Sequence, residues 1–244
     1  MASHIDRLVP HLNVIKPAGP GPFPVVVQMH GCGGVQPMQT RYAEAASEAG
    51  VAAVIVDSLA PRDIGRREAQ LTVCTGLRLR GAERAMDLLA ILQWLEGEPW
   101  ADTTRLGAAG WSHGAWAIMD ALAAPGASVD PRLAALKLAV LFYPYAGPPT
   151  RTHRHGWGAN RPKVFACLGG RDAVVGNAAP RRALNRLEAD GLDVRILDLP
   201  EATHCFDDEH ASDPRTRYRP DLAAQARGFY GAALSEVLIR SGAS

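Results

Sequence analysis

The apolar residues of this chain fall into two alternating kinds of run. Short runs such as Val25-Val26-Val27-Gln28-Met29, Val51 to Val56 and Leu136 to Phe142 have almost no polar interruption, which suits strands buried on both faces of a sheet. Longer stretches repeat their apolar residues every three or four positions. From Gly81, residues Ala82, Ala85, Met86, Leu89, Leu92 and Leu95 keep that spacing up to Gly97, which predicts an amphipathic helix closed by a glycine. The whole pattern predicts an edge strand at Leu8 to Ile15, then strands at Phe23 to Met29, Val51 to Val56, Arg105 to Ala109, Leu136 to Phe142, Lys163 to Leu168 and Val194 to Leu199. Helices are predicted over Met38 to Ala49, from Gly81 onward, and over Ala115 to Ala124, Ala178 to Asp190 and Pro220 to Arg240. Ser58 to Thr75 has no clean period and reads as a loop with a short helical turn at most. Arg151 to Arg161 reads as a loop or small lid inserted before the strand at 163–168.

Strands alternating with helices predict an α/β fold with a doubly wound, mostly parallel sheet, helices on both faces, and one domain over 1–244. The 244 residues, 47% hydrophobic and 21% charged, exclude disordered and fibrous classes. A formal net charge of +1 provides no global field for nucleic acid or an anionic membrane, so neither is expected as a partner. No apolar run approaches a membrane span. The N-terminal residues lack an export-type apolar region, which makes the cytoplasm the expected compartment, with a trimmed export signal left open. Oligomeric state is not legible. Cys32, Cys74, Cys167 and Cys205 are too widely spaced for a zinc ribbon and read mainly as small buried hydrophobes, with a disulfide between two of them as the alternative.

Candidate chemistry centres on Gly110-Trp111-Ser112-His113-Gly114, between the apolar run ending at Ala109 and the helix-forming segment from Ala115. This is the layout of a nucleophile elbow, whose glycines leave room for a tight turn presenting the serine. A chance match in a chain rich in Gly, Ala and Ser is the bland alternative. A serine hydroxyl is a poor nucleophile near neutral pH and needs a base, itself held by a third group. Asp172 follows a predicted strand in Gly169-Gly170-Arg171-Asp172, and His204 lies in the loop after the next strand. The order Ser, Asp, His along the chain matches that arrangement. Taken singly, Asp172 reads equally well as a turn residue and His204 as a loop histidine. A developing oxyanion needs fixed donors. The backbone N–H of His113 is one candidate, and the loop His30-Gly31-Cys32-Gly33 supplies a second from Cys32, with Gly33 as the other option.

With these motifs the chain resembles the dienelactone hydrolase-like branch of the α/β-hydrolases, over nearly its whole length. The His-Gly-Cys-Gly-Gly loop, Val-Asp-Ser at 56–58, Gly-Trp-Ser-His-Gly, Gly-Gly-Arg-Asp and the His-x-Phe-Asp ending at Asp207 carry the likeness. The resemblance implies hydrolysis of an ester or lactone through an acyl-enzyme without metal or organic cofactor, and it transfers Ser112, Asp172 and His204 as triad positions. The chain departs from the founding members in two ways. Their nucleophile is a cysteine where Ser112 stands, and their arginine after the catalytic histidine has no counterpart in Phe206-Asp207-Asp208-Glu209.

Arg62, Arg66 and Arg67 in the loop after Asp57, and Arg151, His153, Arg154, His155 and Trp157 in the proposed lid, are expected at the same rim and are candidates for lining a pocket for an acidic or polar ester, against the plainer reading of solvated charge. The expected activity is that of a serine hydrolase on a small ester or lactone. An amide hydrolase with the same triad and a non-catalytic binding module on this fold are the competing readings.

Overall fold

Val25, Val27 and Met29 face one apolar cluster while Val26 faces another, so the strand Phe23–Met29 (β2) is buried on both sides, as its unbroken apolar run predicts. The computed structural model describes residues 1–124 and 130–240. Around β2 the sheet is completed by Leu12–Ile15 (β1), Ala52–Val56 (β3), Ala101–Trp111 (β4), Leu136–Phe142 (β5), Lys163–Gly169 (β6) and Val194–Leu199 (β7). The seven strands lie in the order β1-β3-β2-β4-β5-β6-β7. Only β1 pairs antiparallel, with β3, and the remaining neighbours are parallel.

Helices cover both faces. On one side pack Ala2–Leu8 (α1), Gly81–Leu95 (α4), His113–Leu122 (α5) and Ala178–Ala189 (α8). On the other lie Pro37–Glu48 (α2) and Pro220–Leu234 (α9). Arg66–Thr72 (α3) belongs to a small satellite cluster of Leu59, Ile64, Ala69, Val73 and Leu79, against which Cys32 packs. Pro131–Ala134 (α6) and Arg151–Arg154 (α7) are single turns. Among the described residues no helix is long and apolar enough to cross a membrane.

Four expectations need correction. The edge strand begins at Leu12, because residues 2–8 form α1 and Val9–His11 a 3-10 turn holding Pro10, which has no N–H for a ladder. The stretch 58–75 contains a 3-10 turn at Ala60–Arg62 as well as α3. Met86, placed by its spacing on the inner face of α4, is 44% exposed, while Arg84 and Asp87 are buried. The segment 151–161 is no lid. Arg151 N–H donates to Asp120 at 2.5 Å, Thr152 Oγ1 to the Met119 carbonyl at 2.9 Å, and Asn160 Nδ2 to the Leu122 carbonyl at 3.0 Å. These bonds fasten it along α5, and Trp157, 2% exposed, fills the core.

Candidate active site

β4 ends at Trp111 and α5 begins at His113, so Ser112 must turn the chain alone. Its φ of 51° is in the left-handed region, a conformation that costs a non-glycine residue roughly 1–3 kcal/mol. The flanking glycines are sterically required. A Cβ on Gly110 would meet the Ala115 nitrogen at 2.5 Å, and one on Gly114 the Met29 carbonyl oxygen at 1.9 Å. Beneath the elbow Trp111 stacks on Phe142 with ring centroids 4.9 Å apart.

The sequence candidates Ser112, Asp172 and His204 come together. His204 Nδ1 lies 2.7 Å from Asp172 Oδ2, and His204 Nε2 lies 2.9 Å from Ser112 Oγ. Asp172 Oδ1 accepts the Val174 and Val175 N–H groups at 2.9 and 3.0 Å. These bonds hold the carboxylate's other oxygen toward the imidazole. All three side chains are buried, while Ser112 and His204 reach the wall of a cavity of about 860 Å³. The loop carrying His204 is anchored by Asp207, which accepts from Tyr42 at 2.9 Å and Tyr143 at 2.7 Å. Burial raises the Asp207 carboxyl above its ordinary range, against the pull of the tyrosine bonds.

The glycine loop after β2 runs beside the elbow, where a Cβ on Gly31 would stand 3.9 Å from Ser112 Cβ. Ser112 N–H is occupied by the Phe142 carbonyl at 2.9 Å, so it is not free as an oxyanion donor. His113 holds the first position of α5, and both His113 and Cys32 reach the cavity wall. Cys32 also forms a disulfide with Cys74, just beyond α3. Cys167 and Cys205 are free.

Arg62, Arg151, His153 and Trp157 do not line the cavity. Arg62 turns inward and binds Asp87 through both guanidinium nitrogens at 2.7 and 3.0 Å, and the other three follow α7 along α5. The cavity's basic groups are instead Arg66, Arg80 and Arg215, with Trp116 and Tyr145 among its aromatic walls. Arg215 is paired with Asp213. Of these basic groups, Arg66 is a candidate from the sequence, while Arg80 and Arg215 are not, because the apparently aperiodic stretch 66–80 and the segment after His204, not 151–161, form the wall.

Two histidines next to the site are held neutral. Burial first and the Arg84 charge second lower the pKa of His113 to about 3, and the same causes in the same order lower that of His30. An unfolded histidine titrates near pH ~6.5, so below that value the unfolded chain binds protons that the native state refuses. Stability therefore falls on acidification, and His113 contributes about 2 kcal/mol of that loss between about pH 7 and 5. Asp120, raised to about 6 by burial, opposes it, since the native state takes up that proton first as pH falls. Unfolding free energies from urea titrations at the two pH values should differ less in His113→Gln than in wild type, by about 2 kcal/mol. An unchanged difference would mean that His113 is not neutral in the folded protein.

A seven-stranded sheet with one antiparallel edge, helices on both faces and a serine at a strand-to-helix elbow defines an α/β-hydrolase fold. Residues 12–230 match the Dienelactone hydrolase family. The chain belongs to that family and is a hydrolase acting on esters. Among solved structures it is similar to a Klebsiella pneumoniae subsp. pneumoniae MGH 78578 protein provisionally classed as a dienelactone hydrolase. That pair has a TM-score of 0.73 and 17% identity, with 92% of each chain covered. The dienelactone hydrolase of Anabaena variabilis ATCC 29413 gives 0.66 and 22%, covering 93% of this chain and 91% of that one. Thermogutta terrifontis esterase 2, solved phosphoramylated by tabun, gives 0.68 and 18%, covering 92% and 88%. No curated protein matches the chain in sequence.

Proposed function

We propose that the protein is a serine hydrolase that cleaves a small carboxylic ester or lactone through an acyl-enzyme on Ser112. The observation that carries this reading is the hydrogen-bonded chain Asp172–His204–Ser112 opening into the cavity. Ser112 Oγ attacks the substrate carbonyl as His204 Nε2 takes its proton, and Asp172 holds the Nδ1–H tautomer and steadies the imidazolium. The charge that develops on the carbonyl oxygen is met by the backbone N–H groups of His113 and Cys32. His204 then protonates the departing alkoxide, and a water activated by the same imidazole releases the acid. Every step uses groups of this chain and water. Arg66 and Arg80 form no ion pair among the described residues, and they favour an ester bearing a negative charge.

A fluorophosphonate probe should label the wild-type protein and not Ser112→Ala, and turnover of an aryl ester should fall roughly 10⁴- to 10⁶-fold in that variant. Equal labelling of the two would rule out Ser112 as the nucleophile. A panel of esters and lactones with and without a carboxylate would then define the acyl and alcohol groups.

A further inference from the structure

Arg84 is fully buried in the second turn of α4. Its Nη1 donates to the His30 carbonyl at 2.9 Å and lies 3.2 Å from His113 Nδ1. The two contacts join the segments that flank the cavity floor. His30 opens the glycine loop that carries Cys32, and His113 opens α5 directly after the nucleophile. Among the described residues no carboxylate bonds to Arg84: the neighbouring Asp87, whose charge still attracts the guanidinium, is taken by Arg62 and His4, and the Arg84 Nε and Nη2 have no hydrogen-bond partner. A buried guanidinium with no carboxylate bonded to it costs stability, and an apolar side chain would pack the same space without that cost. Burial lowers its pKa only to about 10, so the group stays cationic near neutral pH.

We infer that Arg84 is a positioning residue for ester hydrolysis: it fixes the loop carrying Cys32 and the start of α5 relative to each other and sets a permanent positive charge behind their N–H groups. The inference rests on the serine-hydrolase reading and adds a residue to it. His30 is itself fixed on its other side. Its Nε2 accepts the Ser58 N–H at 3.0 Å, and its Nδ1–H donates to the Gly31 carbonyl at 2.5 Å. Arg84 on His113 makes Nδ1 the acceptor and places the ring proton on Nε2. The loop and the elbow thus share one donor nitrogen, and displacing it releases both donors from their common register.

The test compares wild type with Arg84→Met and Arg84→Lys, with every rate divided by the number of active sites titrated with a fluorophosphonate. A purely structural residue would change the number of titratable sites and leave the rate per site alone. For Arg84→Met, kcat per site on an aryl ester should fall about 100-fold with KM within about threefold, as expected for misplaced transition-state donors. Affinity for a trifluoromethyl ketone, whose adduct carries the oxyanion, should fall in parallel. Arg84→Lys, which keeps the charge but not the planar fork, should lose about tenfold. Wild-type turnover per site in the methionine variant, or a change confined to KM, would overturn the inference. If the methionine variant does not fold, the lysine variant decides: wild-type turnover and inhibitor affinity per site overturn the role, and the tenfold parallel loss supports it. Failure of the serine-hydrolase reading is seen separately, as labelling or turnover that survives in Ser112→Ala with Arg84 intact.

Discussion

Gly114→Ala is expected to destabilise the protein by about 4 kcal/mol or prevent folding, an effect at the extreme of single substitutions. The added Cβ would stand 1.9 Å from the Met29 carbonyl oxygen and 2.6 Å from that of His30. These obstacles are backbone atoms of β2 and its exit, so neither can rotate away. Relief would require α5 to lift from β2. That movement would part Ser112 from the loop carrying Cys32, so whatever folds should also turn over slowly. Urea unfolding and fluorophosphonate titration measure the two losses. Gly33→Ala is the matched control, since a Cβ there meets nothing within 4 Å. Near-wild-type stability for Gly114→Ala would mean that the close approach of elbow and strand is not real.

The second large effect concerns the Cys32–Cys74 disulfide, which joins residues 42 apart in sequence. Closing a loop of that length in the unfolded chain corresponds to about 4 kcal/mol in the chain-entropy model. Cys74→Ser should lose a stability of that order, and reduction of the wild-type protein by a dithiol should reproduce it. The functional loss should follow from the same bond. Cys32 sits among Gly31, Gly33 and Gly34, and the backbone bond that closes that loop, from Gly34 N–H to the Gly31 carbonyl, is long at 3.4 Å. Without the bridge the Cys32 N–H is no longer preorganised, so turnover per titrated site should drop by about tenfold or more. Unchanged melting and turnover after confirmed reduction would show that the bridge holds nothing that matters.

The meeting of Ser112, Asp172 and His204 was legible because it depends on chain order and strand ends. A serine between glycines, an aspartate after one strand and a histidine after the next all project from the same edge once the strands run parallel. Other features depend on facts that periodicity does not carry. α1 was hidden because a seven-residue helix at a chain end has little pattern of its own. Arg84 was hidden because α4 buries polar as well as apolar residues: Arg84 and Asp87 face inward beside Ala85 and Leu88, so a two-faced reading put Met86 inside and left Arg84 out. The pocket wall was misplaced because both 66–80 and 151–161 look like basic loops. Which of them overhangs the site is decided by the disulfide and by the α5 carbonyls that capture Thr152 and Asn160.

The anchoring of the His204 loop gives the protein a place where substrate preference can be engineered apart from the chemistry. Asp207 is held by Tyr42 and Tyr143, and the Phe206 carbonyl accepts the Arg219 N–H at 2.8 Å. His204 is thus clasped before the chain departs toward the cavity. The excursion beyond that clasp supplies Asp208, Ala211, Ser212, Asp213 and Arg215 to the cavity wall. Substitutions between 209 and 215 can therefore reshape what the enzyme admits while the imidazole stays where it is, which makes this short segment the natural target for a library aimed at new esters.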